Sequence, residues 1–221
     1  MDLPLLDVVE VRVLGSLIEK ELATPDYYPL SLNALTNACN QLSNREPVVT
    51  FSETEVSRAL DRLRDKQLAF VLSGGENRVT KAGHKAVDAL GLQRAEVAAL
   101  DVLFLRGPQT AGEIRNRSGR LHDFADLAAA LATLDALTAR PVPLVVRLSR
   151  RPGEKESRYA HLLSGPIEVS PPHSSTPLVL ATPTPKGDDE RLAALEAELV
   201  AVKTELADLR QQLGIFRRQF E

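Results

Sequence analysis

The chain has no tryptophan, and phenylalanine and tyrosine together make up only 4% of it. That composition is unlike RNA modules that stack bases on an aromatic sheet. It also predicts a core built mainly from Leu, Val and Ala. The one cysteine, Cys39, can form neither an internal disulfide nor a cysteine-based zinc site, which fits a reducing cytosol and predicts a cytoplasmic protein. No run of 18 apolar residues occurs, so an ordinary transmembrane helix is excluded and no membrane partner is expected. The opening Met-Asp-Leu-Pro lacks the basic-then-apolar order of a secretory signal. A net charge of −3 excludes a globally basic nucleic-acid coat. A local basic patch is still allowed.

What is present divides the chain. At 221 residues, one or two domains are expected, and 43% apolar with 26% charged residues describes a soluble globular protein. Residues 165–187 carry six of the fourteen prolines, which prevents a helix or central strand and predicts an extended linker. Charge is uneven across this boundary. Residues 1–93 hold 10 Lys/Arg against 13 Asp/Glu, residues 94–165 hold 11 against 8, and residues 166–221 hold 6 against 9. Only the middle segment is basic.

Residues 1–165 read as one unit written twice. Val11, Leu14, Leu17 and Ile18 recur 86 residues later as Val97, Leu100, Leu103 and Phe104. Val56, Leu60 and Leu63 recur 71 residues later as Leu127, Leu131 and Leu134. Both sets have helical spacing. Ser52 with Glu55 and Thr110 with Glu113 form capping boxes, Phe51 and Val56 form a hydrophobic staple, and Leu30 and Leu35 do so around Ser31. Asp123 stands at the cap position matching Ser52. Helices are predicted near 5–22, 31–41 and 52–67, then near 94–106, 110–118 and 123–138. Each third helix is followed by a strand pair: 69–72 with 78–80 around Gly74-Gly75, and 144–148 with 158–162 around Pro152-Gly153. Three helices and a hairpin make a winged helix, a helix-turn-helix with a β-hairpin wing.

Four strings carry a family resemblance: Tyr28-Pro-Leu-Ser-Leu-Asn-Ala-Leu-Thr-Asn-Ala-Cys-Asn-Gln41, Ser43-Asn-Arg-Glu-Pro47, Leu105-Arg-Gly-Pro-Gln-Thr110 and Arg158-Tyr-Ala-His-Leu162. In these the chain resembles the YceH-like bacterial proteins, a tandem winged-helix family. The resemblance implies a fold and assigns no catalytic residue.

The candidates for chemistry are few. His84, His122, His161 and His173 share no metal-ligand spacing, and neither a Gly-rich phosphate loop nor a serine elbow occurs. No enzyme activity, metal or cofactor is expected. Cys39 reads as a small buried thiol and His161 as a packed wing residue. Asn33, Asn37, Asn40, Gln41 and Asn44 form an amide-rich run that can read adenine edges or satisfy helix ends and loop carbonyls. On the first third helix, the face opposite Val56 is Thr54, Arg58, Asp61, Arg62 and Asp65, a charge-balanced surface. In the second unit, Arg115, Arg117 and Arg120 precede the third helix, and Arg147, Arg150, Arg151, Lys155 and Arg158 lie along the wing. A wing of this kind suits phosphates or a minor groove. With Leu127, Leu131 and Leu134 inward, Ala125, Ala129, Ala132, Thr133 and Ala136 form a smooth strip expected to pack against protein.

Beyond the linker, Leu192, Leu199, Leu206, Leu213 and Phe220 alternate with Leu195, Val202, Leu209 and Phe216 in heptad a and d positions. In a parallel pair, Arg191–Glu196, Glu198–Lys203 and Glu205–Arg210 attract, and no such pair repels. The sequence therefore predicts a mainly α protein with small β-hairpin wings. Its parts are winged helices at 1–92 and 93–164, a Pro-rich linker at 165–187, and a parallel coiled-coil homodimer at 188–221. The expected function is that of a non-enzymatic, dimeric, DNA-binding transcriptional regulator, with Arg58 and Arg62 added to the eight basic residues of the second unit. The rival expectation is a protein-interaction scaffold, similar to tandem winged-helix chromosome-segregation proteins.

Overall fold

The computed structural model describes residues 3–72, 79–150, 153, 154 and 156–165. The linker and the coiled-coil heptads, Leu192 to Phe220, lie outside the described residues, as do Arg151 and Lys155. Among the described residues the protein is mainly helical, with two small antiparallel sheets.

The first half runs α1 (Val8–Ala23), β1 (Leu30–Ser31), α2 (Leu32–Cys39), α3 (Glu53–Asp65), β2 (Ala69–Leu72), β3 (Lys81–His84) and α4 (Ala86–Leu90). The second runs α5 (Arg94–Arg106), α6 (Ala111–Arg117), α7 (Leu127–Thr138), β4 (Val145–Arg147) and β5 (Tyr159–His161). Local chemistry sets the helix starts. Ser52 and Thr110 close the expected capping boxes with Glu55 and Glu113, and Ser31 caps α2. Two further boxes, Asp7 with Glu10 and Gln93 with Glu96, open α1 and α5 and obey the same 86-residue offset as their apolar faces. The first helix accordingly starts at Val8 rather than near residue 5.

The 71-residue offset fails at α7. Its cap is Asp126, which accepts from the Ala129 amide at 2.7 Å, while Asp123 lies in the preceding loop. Ala130, Leu134 and Leu137 are fully buried, whereas Leu127 is 41% exposed. The working offset is thus 74, relating Ser52 to Asp126 and Val56, Leu60 and Leu63 to Ala130, Leu134 and Leu137. The alanine strip breaks up as a result. Ala125 precedes the helix, Ala129 and Thr133 are half-buried, and Ala132 and Ala136 face solvent.

In the first sheet β3 is central, in the order β1-β3-β2, with Leu30 opposite Ala82 and Phe70 opposite Gly83. The second strand of this hairpin is therefore Lys81–His84, with Val79 and Thr80 just before it and residues 73–78, the expected turn and Arg78, outside the described residues. Glycine is required at position 83, because a Cβ there would lie 2.3 Å from the Phe70 ring. The second hairpin pairs Val145 with His161 and Arg147 with Tyr159. Bonds from the Leu148 amide to Arg158 and from the Leu162 amide to Leu144 extend it to the expected span of 144–148 with 158–162.

The two halves share one core. Helices α1 and α5 are buried along most of their length and cross where Gly15 meets Phe104 and Leu105. A Cβ on Gly15 would stand 2.9 Å from a Leu105 methyl, so the close approach requires glycine. Backbone bonds from Leu6 to Leu163 and from Glu46 to Leu105 join the halves again.

His161 sits under the second hairpin, edge-on to Phe104 with ring centroids 5.0 Å apart. Burial pushes its imidazole down to about 4 from an ordinary 6.5. The unfolded chain therefore takes up a proton below pH 6.5 that the folded chain refuses until about pH 4. Stability is expected to fall as pH drops through that window, by up to about 3 kcal/mol from this group. Denaturant unfolding of wild type and His161→Gln at pH 7.5 and pH 4.5 checks this. The variant should lose less on acidification, and equal losses would remove His161 as the cause.

Candidate nucleic-acid interface

The structure distributes the ten basic candidates among different environments. In the second half, α7 and the β4–β5 hairpin enclose a groove of about 330 Å³. Arg147 and Arg150 line it together with Leu127, Leu131 and the buried Tyr159. Both arginines are exposed and make no ion pair among the described residues. Glu156 is the one acidic side chain in the lining. The hairpin is anchored beside this groove by Gln109, whose amide and carbonyl bond the Tyr159 backbone at 3.0 and 2.7 Å.

Arg158, the third described wing arginine, is committed elsewhere. It donates to Glu113 at 2.8 Å, to Glu154 at 3.5 Å and to the Pro108 carbonyl at 3.1 Å. Arg158 thus ties the hairpin to the start of α6. Glu113 is caught between burial, which raises its carboxyl, and the Thr110 amide with the Arg158 and Arg117 guanidiniums, which together hold it below its ordinary value.

Arg62 is likewise structural. It reaches from α3 to Asp7 at 2.6 Å and to the buried Glu10 at 3.1 Å, where Lys66 also donates at 2.7 Å. Arg58 is exposed on α3 and makes no ion pair among the described residues, whereas the equally exposed Arg64 pairs with Asp61 at 3.0 Å. Arg117 bonds Gln109, and with Arg120 it lines a separate cleft between the two halves. Arg115 is exposed on α6.

The amide run is largely consumed by structure. Asn40 bonds both the amide and the carbonyl of Phe51 at 2.8 Å, Asn33 donates to Glu53 at 3.1 Å and Asn37 donates to Asn33 at 3.1 Å. Cys39 is fully buried, and burial raises its thiol. Among the described residues no group of three or more His, Cys, Asp or Glu is placed to hold a metal, and no helix is long and apolar enough to cross a membrane.

Two buried arginines went unnoticed in the sequence. Arg45 donates to the Ala38 carbonyl at 2.8 and 3.1 Å, and Arg12 donates to the Cys39 carbonyl at 3.2 Å and to Pro47 at 2.6 Å. They satisfy the orphan carbonyls at the end of α2, where no glycine cap follows. The absence of a C-cap glycine after Cys39 was the available signal.

A compact helical unit of two related halves, with paired arginines on an exposed hairpin, is the class these features define. The chain belongs to the family described as "Protein of unknown function, DUF480", which matches residues 6–154. This agrees with the YceH-like resemblance of its sequence strings. A UPF0502 protein of Geotalea uraniireducens is 51% identical over 216 residues, covering 98% of both chains. One from Opitutus terrae is 58% identical over 169 residues, 76% of this chain and 74% of its own. One from Shewanella amazonensis is 47% identical over 206 residues, 91% of this chain and 96% of its own.

Proposed function

We propose that the protein is a non-enzymatic, DNA-associated regulator built from two tandem winged helices, touching DNA mainly through the second. The observation that carries this reading is the pair Arg147 and Arg150, exposed and without ion pairs among the described residues on the hairpin beside α7. In this reading the hairpin is a wing, and its guanidiniums grip phosphates. Beside one exposed acid, Asp135, the solvent face of α7 offers Leu127, Ala128, Ala132 and Ala136. Such side chains touch thymine methyls but do not read guanine or adenine edges, so binding is dominated by the backbone. The heptads at 188–221 would join two copies in parallel in the cytoplasm and bring two wings to one duplex, strengthening a contact that is weak singly.

Titration of duplex DNA fragments at several salt concentrations tests this. Arg147→Ala/Arg150→Ala should weaken binding to all sequences alike and flatten the log–log salt slope by about 2 for each wing engaged. Unchanged binding would remove the wing from the mechanism. A scaffold role is favoured by one observation, the exposed Leu127 and alanines of α7, which suit an apolar protein segment. Wild-type protein that shows no salt-dependent DNA binding would leave that second reading in place.

A further inference from the structure

A cleft lies between the halves, a space of about 900 Å³ bordered by α1, the loop after α2, α5 and the end of α6. This falls within the size range of small-molecule sites. Its charge is one-sided. Lys20, Arg106, Arg117 and Arg120 line it against Glu19 and Asp101. Glu19 is already neutralised by Arg45 at 2.5 Å and Lys20 at 3.3 Å. Arg120 makes no ion pair among the described residues, and Arg106 has only the Asn44 amide oxygen as partner. Burial, then the nearby Arg117 cation, pulls the Arg106 guanidinium below its ordinary value, against the opposing pull of Glu46 and Glu19.

Asp101 supplies the second, independent observation. It is 1% exposed, lines the cleft from α5, and its Oδ1 has no hydrogen-bond partner. Complete burial, reinforced by Glu19, raises its carboxyl well above the usual range, which favours the neutral form that can donate as well as accept. Arg117 already bonds Gln109 and lies 3.9 Å from Glu113, but an orphaned buried polar atom beside Arg106 and Arg120, which make no ion pair among the described residues, is costly unless a ligand completes both.

We propose that this cleft binds a small phosphorylated molecule, its phosphate held by Arg106, Arg117 and Arg120 and its uncharged part hydrogen-bonded to Asp101. Guanidinium forks suit phosphate oxygens, and three arginines lining one space suit a terminal phosphate better than a single carboxylate. The site is separate from the hairpin groove and stands whether or not the hairpin binds DNA.

Inorganic pyrophosphate is the probe, titrated into the full chain by calorimetry at fixed ionic strength. Binding at a Kd of about 1 mM or tighter is expected, weakened about tenfold or more by Arg106→Gln/Arg120→Gln and untouched by Arg147→Ala/Arg150→Ala. Asp101→Asn should leave pyrophosphate affinity within about twofold, because a neutral acid and an amide present the same charge. Four results would overturn the proposal: no binding by wild type, equal binding by the cleft double variant, loss in the wing variant, or a tenfold gain in Asp101→Asn. Displacement of pyrophosphate by a short DNA duplex would assign the cleft to nucleic acid instead and overturn it as well.

Discussion

Replacing Arg45 with alanine is expected to lower the stability of the protein by about 3–5 kcal/mol, the range for removing one partner of a buried ion pair. Its side chain has no exposure, and all of its donors are used. It bonds Glu19 at 2.5 and 3.2 Å, the Ala38 carbonyl and the Asn44 carbonyl at 3.0 Å. Burial raises the Glu19 carboxyl, but the Arg45 bond and charge, with help from Lys20, more than offset this and hold it below its ordinary value. Alanine would leave that carboxylate in a mostly dry site and strip the end of α2 of its carbonyl partner. Arg45→Lys keeps the charge without the fork and should recover only part of the loss. Urea denaturation measures both variants, and an Arg45→Ala midpoint equal to wild type would show that water replaces the guanidinium.

Elements governed by local rules were legible in the sequence. The boxes at Ser52 and Thr110, the α1/α5 repeat and the 144–162 hairpin all follow from neighbours within a few residues. Helix α7 was misread because its sequence, Leu-Ala-Ala-Ala-Leu-Ala-Thr-Leu, is apolar on every side. Periodicity cannot choose a buried face there, and only packing against α5 and the hairpin selects Ala130, Leu134 and Leu137. Strand β3, Lys-Ala-Gly-His, has no β-branched residue and is specified by pairing with β1 and β2 on both edges. Which basic candidates are tied up in ion pairs was hidden for a related reason. A helical wheel places Arg62 outward, yet its long side chain returns to Asp7 and Glu10 more than fifty residues earlier. The interhalf cleft draws on helices α1, α5 and α6, so no single window of sequence contains it.

Trimming Leu103 to alanine should cost about 2–5 kcal/mol, the range for a fully buried leucine whose site cannot collapse. Leu103 has no exposure and lies in the last turn of α5, a helix that packs on α1 and against β5 of the second hairpin. The more telling result is where the loss appears. Two independent domains meeting at residue 92 would confine it to the second half. One core running through α1 and α5 transmits it to both. Native-state hydrogen exchange separates these outcomes, because the slowest amides of each helix report the opening free energy of the unit containing them. Amides in α3 and in α7 should lose protection by the same amount in Leu103→Ala. Protection in α3 that stays at the wild-type level while α7 weakens would show that the halves unfold separately, and that the Gly15 crossing is a docking contact between them rather than the centre of a single cooperative structure.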